Sequence, residues 1–140
     1  MYKPLSLLKS QHLVGLSKKR VYLIYEDRES HWWSKFFKKG FKHVYCITFD
    51  GLFWIKMDYL LGYTDLDVLC YDYHDTINDV LEGQKVTIQY VEVWRKPRYR
   101  VRSLFAPASC VEAMKAILGV RASLVISPYQ LYKHIGKYHG

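Results

Sequence analysis

The first unbroken apolar run in the chain is Val21-Tyr22-Leu23-Ile24-Tyr25, short, rich in β-forming residues and read as a strand. Residues 1–20 before it mix apolar and polar positions and end in the basic cluster Lys18-Lys19-Arg20. They read as an N-terminal arm, and 21–140 as a single domain. Ser30 is placed to cap a helix through Lys39, closed by Gly40, with Trp33, Phe36 and Phe37 on one face. That face is expected in the core rather than on a membrane surface. Phe41 to Phe49 and Leu52 to Asp58 are strand-like on either side of Asp50-Gly51, a type I′ turn dipeptide, and predict a β-hairpin.

Further along, Asp67 to Tyr73 reads as a strand of weak alternation. Asp75 to Glu82 reads as a short helix with Ile77, Val80 and Leu81 inward, ended by Gly83. Lys85 to Trp94 alternates with β-branched and aromatic residues and predicts another strand. A helix opens after Ser109, where Ser109 and Glu112 form a capping box. Val111, Met114, Ile117 and Leu118 follow at helical spacing, and Gly119 stops the run. Ser127-Pro128-Tyr129-Gln130 is a second capping box with proline at the first helical position, opening a last helix to about Ile135. The pattern is α+β: an antiparallel sheet packed against helices, one of them bearing a cysteine.

Composition narrows the chemistry. The 140 residues carry a net charge of +8, which favours anionic partners: nucleic acid, acidic lipid or an anionic cell-wall polymer. The 3 cysteines, Cys46, Cys70 and Cys110, include no C-x-x-C pair, so neither a zinc site nor any other metal or cofactor is expected. An odd count of cysteines and the lack of a secretory or membrane-spanning run suggest free thiols in a reducing setting. A cytoplasmic or virion-associated location follows as the expectation.

Cys110 stands at the first position of its helix, where free backbone N–H groups and the positive end of the helix dipole favour a thiolate. A cysteine nucleophile needs a base and an orienting group. Of the six histidines, His139 is terminal, His12 lies in the arm, His31 and His134 fall on helix surfaces and His74 in a turn. His43 alone sits inside a predicted strand. With Asp50 and Gly51 as a two-residue loop, Phe49 faces Leu52 and His43 falls directly opposite Asp58 on the same face of the sheet. Cys46 has the opposite parity to His43, which makes it a poor rival nucleophile.

These residues come in a recognisable order: a strand histidine in Gly40-Phe41-Lys42-His43-Val44, a polar residue in Trp54-Ile55-Lys56-Met57-Asp58, then a helix opening with Cys110 and closing with Leu118-Gly119. The chain resembles the circularly permuted NlpC-type, papain-like cysteine hydrolases, the group that includes lecithin retinol acyltransferase-like proteins. The tail Ser-Pro-Tyr-Gln-Leu-Tyr also looks like small phage-encoded proteins of this shape. The resemblance covers roughly residues 21 to 135. It implies a permuted papain-like fold with Cys110 as nucleophile, His43 as base and Asp58 as orienting residue. A cell-wall peptide cross-link, an acyl ester or an amide would be the substrate.

Two other classes remain beside a cysteine amidase or peptidase. One is a phage virion or assembly protein that uses the fold without turnover, its aromatic residues suited to contacts with other virion proteins or with itself. The other is nucleic-acid binding through Arg95, Lys96, Arg98, Arg100 and Arg102 with Tyr99 among them, a pattern able to pair phosphates and stack bases. The plainer reading of that segment is a solvated basic strand edge.

Overall fold

Five antiparallel strands form one sheet in the order β4-β3-β2-β1-β5. They are β1 (Lys19–Glu26), β2 (His43–Phe49), β3 (Trp54–Leu60), β4 (Tyr63–Leu69) and β5 (Thr87–Val93). Among the described residues three helices accompany them: α1 (Ile77–Val80), α2 (Cys110–Leu118) and α3 (Pro128–Tyr138). The computed structural model describes residues 19–29, 32–60, 63–69, 75–93 and 110–138. The fold class is therefore α+β, as the pattern of strands and helices predicts.

Period-two alternation divides the sheet between two cores. Val21, Leu23 and Tyr25 of β1, Val44 and Cys46 of β2 and Val91 of β5 point to one side. There they pack against Cys110, Val111, Met114 and Leu118 of α2 and Leu131 and Ile135 of α3. Ile24, Tyr45, Ile47 and Trp54 point to the other side, against Val80 and Leu81. The central strands β1 and β2 are buried on both faces, which is why Val21 to Tyr25 reads as a continuous apolar run. Removing a side chain such as Leu23 or Leu131, each fully buried, from this interior would forfeit about 2 kcal/mol of transfer free energy.

α3 is fixed to the sheet by polar as well as apolar contacts. The Tyr25 hydroxyl donates to Gln89 Oε1 at 2.8 Å, and Gln89 Nε2 donates to the carbonyl of Tyr132 at 3.0 Å. Phe41 packs among Tyr25, Tyr129 and Tyr132, with ring centroids 5.0 to 5.3 Å away. α2 is tied to the connection that follows it by Lys115, a buried lysine whose Nζ donates to the carbonyls of Ala122 and Val125, both at 2.9 Å. Its charge is balanced by Glu112 at 2.5 Å, one turn earlier in the helix.

The structure corrects four expectations. Of the helix expected over 30–39, the described residues 32–39 form only a 3-10 turn, Ser34–Phe36, with Ser34 buried and Phe36 exposed. Trp32, Trp33, Phe36 and Phe37 are weak helix formers, a stretch this short gains little from nucleating a helix, and the sheet faces are packed by other elements. The Asp50-Gly51 turn is longer than two residues. The Asp50 N–H donates to the Phe53 carbonyl at 3.2 Å, and Asp50 Oδ1 accepts from the N–H groups of Leu52 and Phe53, both at 2.8 Å. An aspartate that satisfies two backbone donors stabilises this wider turn over the type I′ form. Third, α3 runs past Gly136 to Tyr138, whose ring lies 4.8 Å from that of His134. Fourth, β1 starts at Lys19, so Lys19 and Arg20 leave the supposed arm and pair with Val93 and Glu92.

The second capping box forms as expected: Gln130 Oε1 accepts from the Ser127 N–H at 3.1 Å and the Gln130 N–H donates to Ser127 Oγ at 3.3 Å. A further one, Thr76 with Asp79, opens α1.

Candidate active site

The wider turn changes the strand register on which the site was first placed. β2 and β3 pair as Cys46↔Met57, Ile47↔Lys56, Thr48↔Ile55 and Phe49↔Trp54. Continuing that ladder sets Tyr45, not His43, opposite Asp58. His43 is two positions away, so the expected direct pairing is wrong. A slip of two residues nevertheless preserves parity, and His43 and Asp58 keep the same face. The diagonal gap is short enough for the two side chains to close. His43 Nε2 lies 2.7 Å from Asp58 Oδ1, and both residues are fully buried.

Asp58 is held from its other side as well. Its Oδ2 accepts from Arg28, which follows β1 and whose Nε lies 2.9 Å from Glu26 Oε1. Lys56 Nζ lies 3.9 Å from the same Oδ2 and 4.8 Å from the centre of the Tyr45 ring. Burial pushes the Asp58 carboxyl up, but the hydrogen bonds and charges of His43 and Arg28 outweigh it and hold the group below the usual carboxylate range. Asp58 is therefore a carboxylate at neutral pH.

Cys110 is the first described residue of α2, and the Ser109 capping position expected before it lies outside the described residues. The thiol belongs to the core on the Val44 and Cys46 side, whereas alternation points His43 to the Tyr45 side. The thiol nevertheless lies near enough to act on the charge of the His43 ring. Burial lowers the proton affinity of the His43 ring. The hydrogen bond to Asp58 and the charges of Cys110 and Asp58 more than reverse this, and its pKa is pushed up to about 9. No hydrogen bond of ordinary geometry joins the sulfur to the ring. His43 Nδ1 is buried and unpartnered, the nitrogen left available once Nε2 is engaged by Asp58.

Of the other thiols, Cys46 is fully buried and its pKa is pushed up to about 12 by that burial. It points away from His43, in line with its parity. Cys70 lies outside the described residues, as do Arg95, Lys96, Arg98, Tyr99, Arg100 and Arg102, so the basic segment has no structural account.

Three members of this cluster escape a reading of the sequence: Arg28, Glu26 and Lys56. Arg28 sits in the charged run Glu26-Asp27-Arg28-Glu29, which by itself resembles any solvated strand end. Only the β1–β2 pairing, in which Glu26 is the partner of His43, brings it to Asp58.

Among the described residues no cluster of histidine, cysteine and carboxylate side chains could hold a metal ion. No helix among them is long and apolar enough to cross a membrane. Comparison of the chain with protein-family models, with curated proteins and with solved structures finds no match.

Proposed function

We propose that the protein is a cysteine hydrolase of amidase or peptidase type, built on a permuted papain-like core, with Cys110 as nucleophile, His43 as base and acid and Asp58 as the group that orients the ring. The observation that carries this reading is the division of the imidazole's two nitrogens. Nε2 is bound to a buried carboxylate at 2.7 Å, while Nδ1 is buried without a partner in a ring whose charge Cys110 of α2 influences.

The chemistry follows from those positions. The proton of Cys110 passes to Nδ1 of His43 ahead of the attack, giving a thiolate–imidazolium pair in keeping with the raised proton affinity of the ring, and the sulfur then adds to the substrate carbonyl. The negative charge that develops on the carbonyl oxygen is met by free N–H groups in the first turn of α2. His43, its proton affinity raised by Asp58, holds that proton until the leaving amine or alcohol takes it. A water molecule then gives a proton to Nδ1 and attacks the acyl-enzyme, releasing the acid and restoring the thiol. The net positive charge of the chain suits an anionic polymer that carries peptide or acyl bonds, such as a bacterial wall.

One observation favours a second reading. Cys110 is 4% exposed and His43 and Asp58 are closed off from solvent, a state that a virion or assembly protein without turnover would tolerate. A p-nitrophenyl ester separates the two. The hydrolase reading requires a burst of nitrophenol with one acyl group on Cys110 by peptide mass spectrometry, absent in Cys110→Ser and His43→Gln. No acylation of folded protein favours the structural role.

A further inference from the structure

We propose that Arg28 is a positioning residue of this site: its guanidinium, anchored on Glu26, fixes the second oxygen of Asp58, keeps the first on His43 Nε2 and so fixes the imidazole with Nδ1 left free. The functional meaning of this rests on the hydrolase reading; the geometry stands without it. A carboxylate on a strand can rotate about its last bond, and a single bond to His43 leaves that rotation free. Two bonds on opposite oxygens remove it. Arginine suits the task because its donors are set in a rigid plane, with Nε on Glu26 and Nη2 on Asp58. Lys56 cannot replace it. At 3.9 Å its ammonium lies beyond hydrogen-bond range of Oδ2 and faces the Tyr45 ring.

The charged and titratable groups around the pair are Glu26 and Arg28 at the end of β1, Tyr45 on β2, Lys56 on β3 and Cys110 on α2. Asp65, the β4 partner of Asp58, is exposed. Among them Arg28 alone bonds the oxygen of Asp58 that His43 leaves over.

The test is an NMR titration of His43 in the wild type, Arg28→Gln and Arg28→Lys. If Arg28 positions Asp58, its loss frees the carboxylate, and the His43 midpoint falls from about 9 by at least about one unit towards 6.5. Arg28→Lys falls likewise, because an ammonium cannot span Glu26 and Asp58. A positive charge that merely competes with the imidazolium predicts the reverse: the midpoint rises in Arg28→Gln and returns to the wild-type value in Arg28→Lys. That result, or an unmoved midpoint, overturns the assignment. Should Arg28→Gln fail to fold, the charge-preserving lysine variant decides alone. Iodoacetamide alkylation of Cys110, measured in parallel, keeps the two ideas apart. An inert Cys110 with a lowered midpoint refutes the hydrolase reading only, and a reactive Cys110 with an unmoved midpoint refutes the role of Arg28 only.

Discussion

His43 and Asp58 lie two positions out of register across β2 and β3, and yet His43 Nε2 meets Asp58 Oδ1 at 2.7 Å. The pair survives the longer turn because a strand repeats every two residues, so a two-residue slip leaves every side chain on its face. A one-residue slip would have placed Asp58 on the other side of the sheet.

Breaking that pair is costly. Asp58→Ala removes a buried carboxylate and leaves both His43 and Arg28 facing an empty place. Urea denaturation is expected to show a loss of about 3–5 kcal/mol. Asp58→Asn preserves shape and should lose less. A loss within 1 kcal/mol or so for Asp58→Ala would mean that the site contributes little to the fold.

His43 makes stability depend on pH in a defined window. Its pKa is raised by folding, from 6.5 to about 9, so the folded state binds the proton more tightly than the unfolded chain. The stabilisation is complete below pH 6.5 and is lost as the pH rises through about 9. It is on the order of 3 kcal/mol. Unfolding curves of the wild type should weaken across this interval, and His43→Gln should flatten that part of the profile. An equal slope in both proteins would refute the assignment to His43.

Lys115 is buried for the sake of two carbonyls. Lys115→Met matches its length but leaves the oxygens of Ala122 and Val125 without their donor and Glu112 without its cation. A loss of about 2–4 kcal/mol is expected. Hydrogen exchange should speed up over residues 120–127 before it does in β1 and β2. Unchanged exchange there would show that the α2–α3 connection is held by its apolar contacts alone.

Gly136 offers a change in the opposite direction. It is an exposed residue inside α3, and an added Cβ would meet only Gln89 Nε2 at 3.8 Å, an ordinary contact. Gly136→Ala should raise stability by about 0.5–1 kcal/mol through helix propensity and the unfolded chain. Destabilisation would indicate that α3 ends before this residue.

How much of this was written in the chain differs by element. The end of the α2 helix was legible because capping signals are local: Gly119 closes it in the left-handed conformation at φ 69°. β1, β2, β3 and β5 were legible from alternation and from the β1 apolar run, whereas β4, expected over Asp67–Tyr73, runs from Tyr63 to Leu69 and is exposed along most of its length, so no alternation marks it. The turn was misread because Asp50-Gly51 fits a two-residue loop by composition, whereas its length was decided by Asp50 accepting two N–H groups from farther on. The 30–39 helix failed because spacing can mark an aromatic face without any surface in the fold to receive it. Arg28 was invisible for a different reason: its partner lies thirty positions away, and nothing local distinguishes it from a solvated charge.

The reactivity of Cys110 tests the central claim most directly. Iodoacetamide labelling of the native protein, read at each cysteine by mass spectrometry across the pH range, should modify Cys110 well ahead of Cys46, whose buried thiol has its pKa pushed up to about 12. In His43→Gln the Cys110 rate should fall about ten- to a hundredfold near neutral pH, with Cys46 unchanged. Equal labelling of Cys110 in the wild type and in His43→Gln would contradict the account, because the imidazole would then have no influence on the thiol beside it.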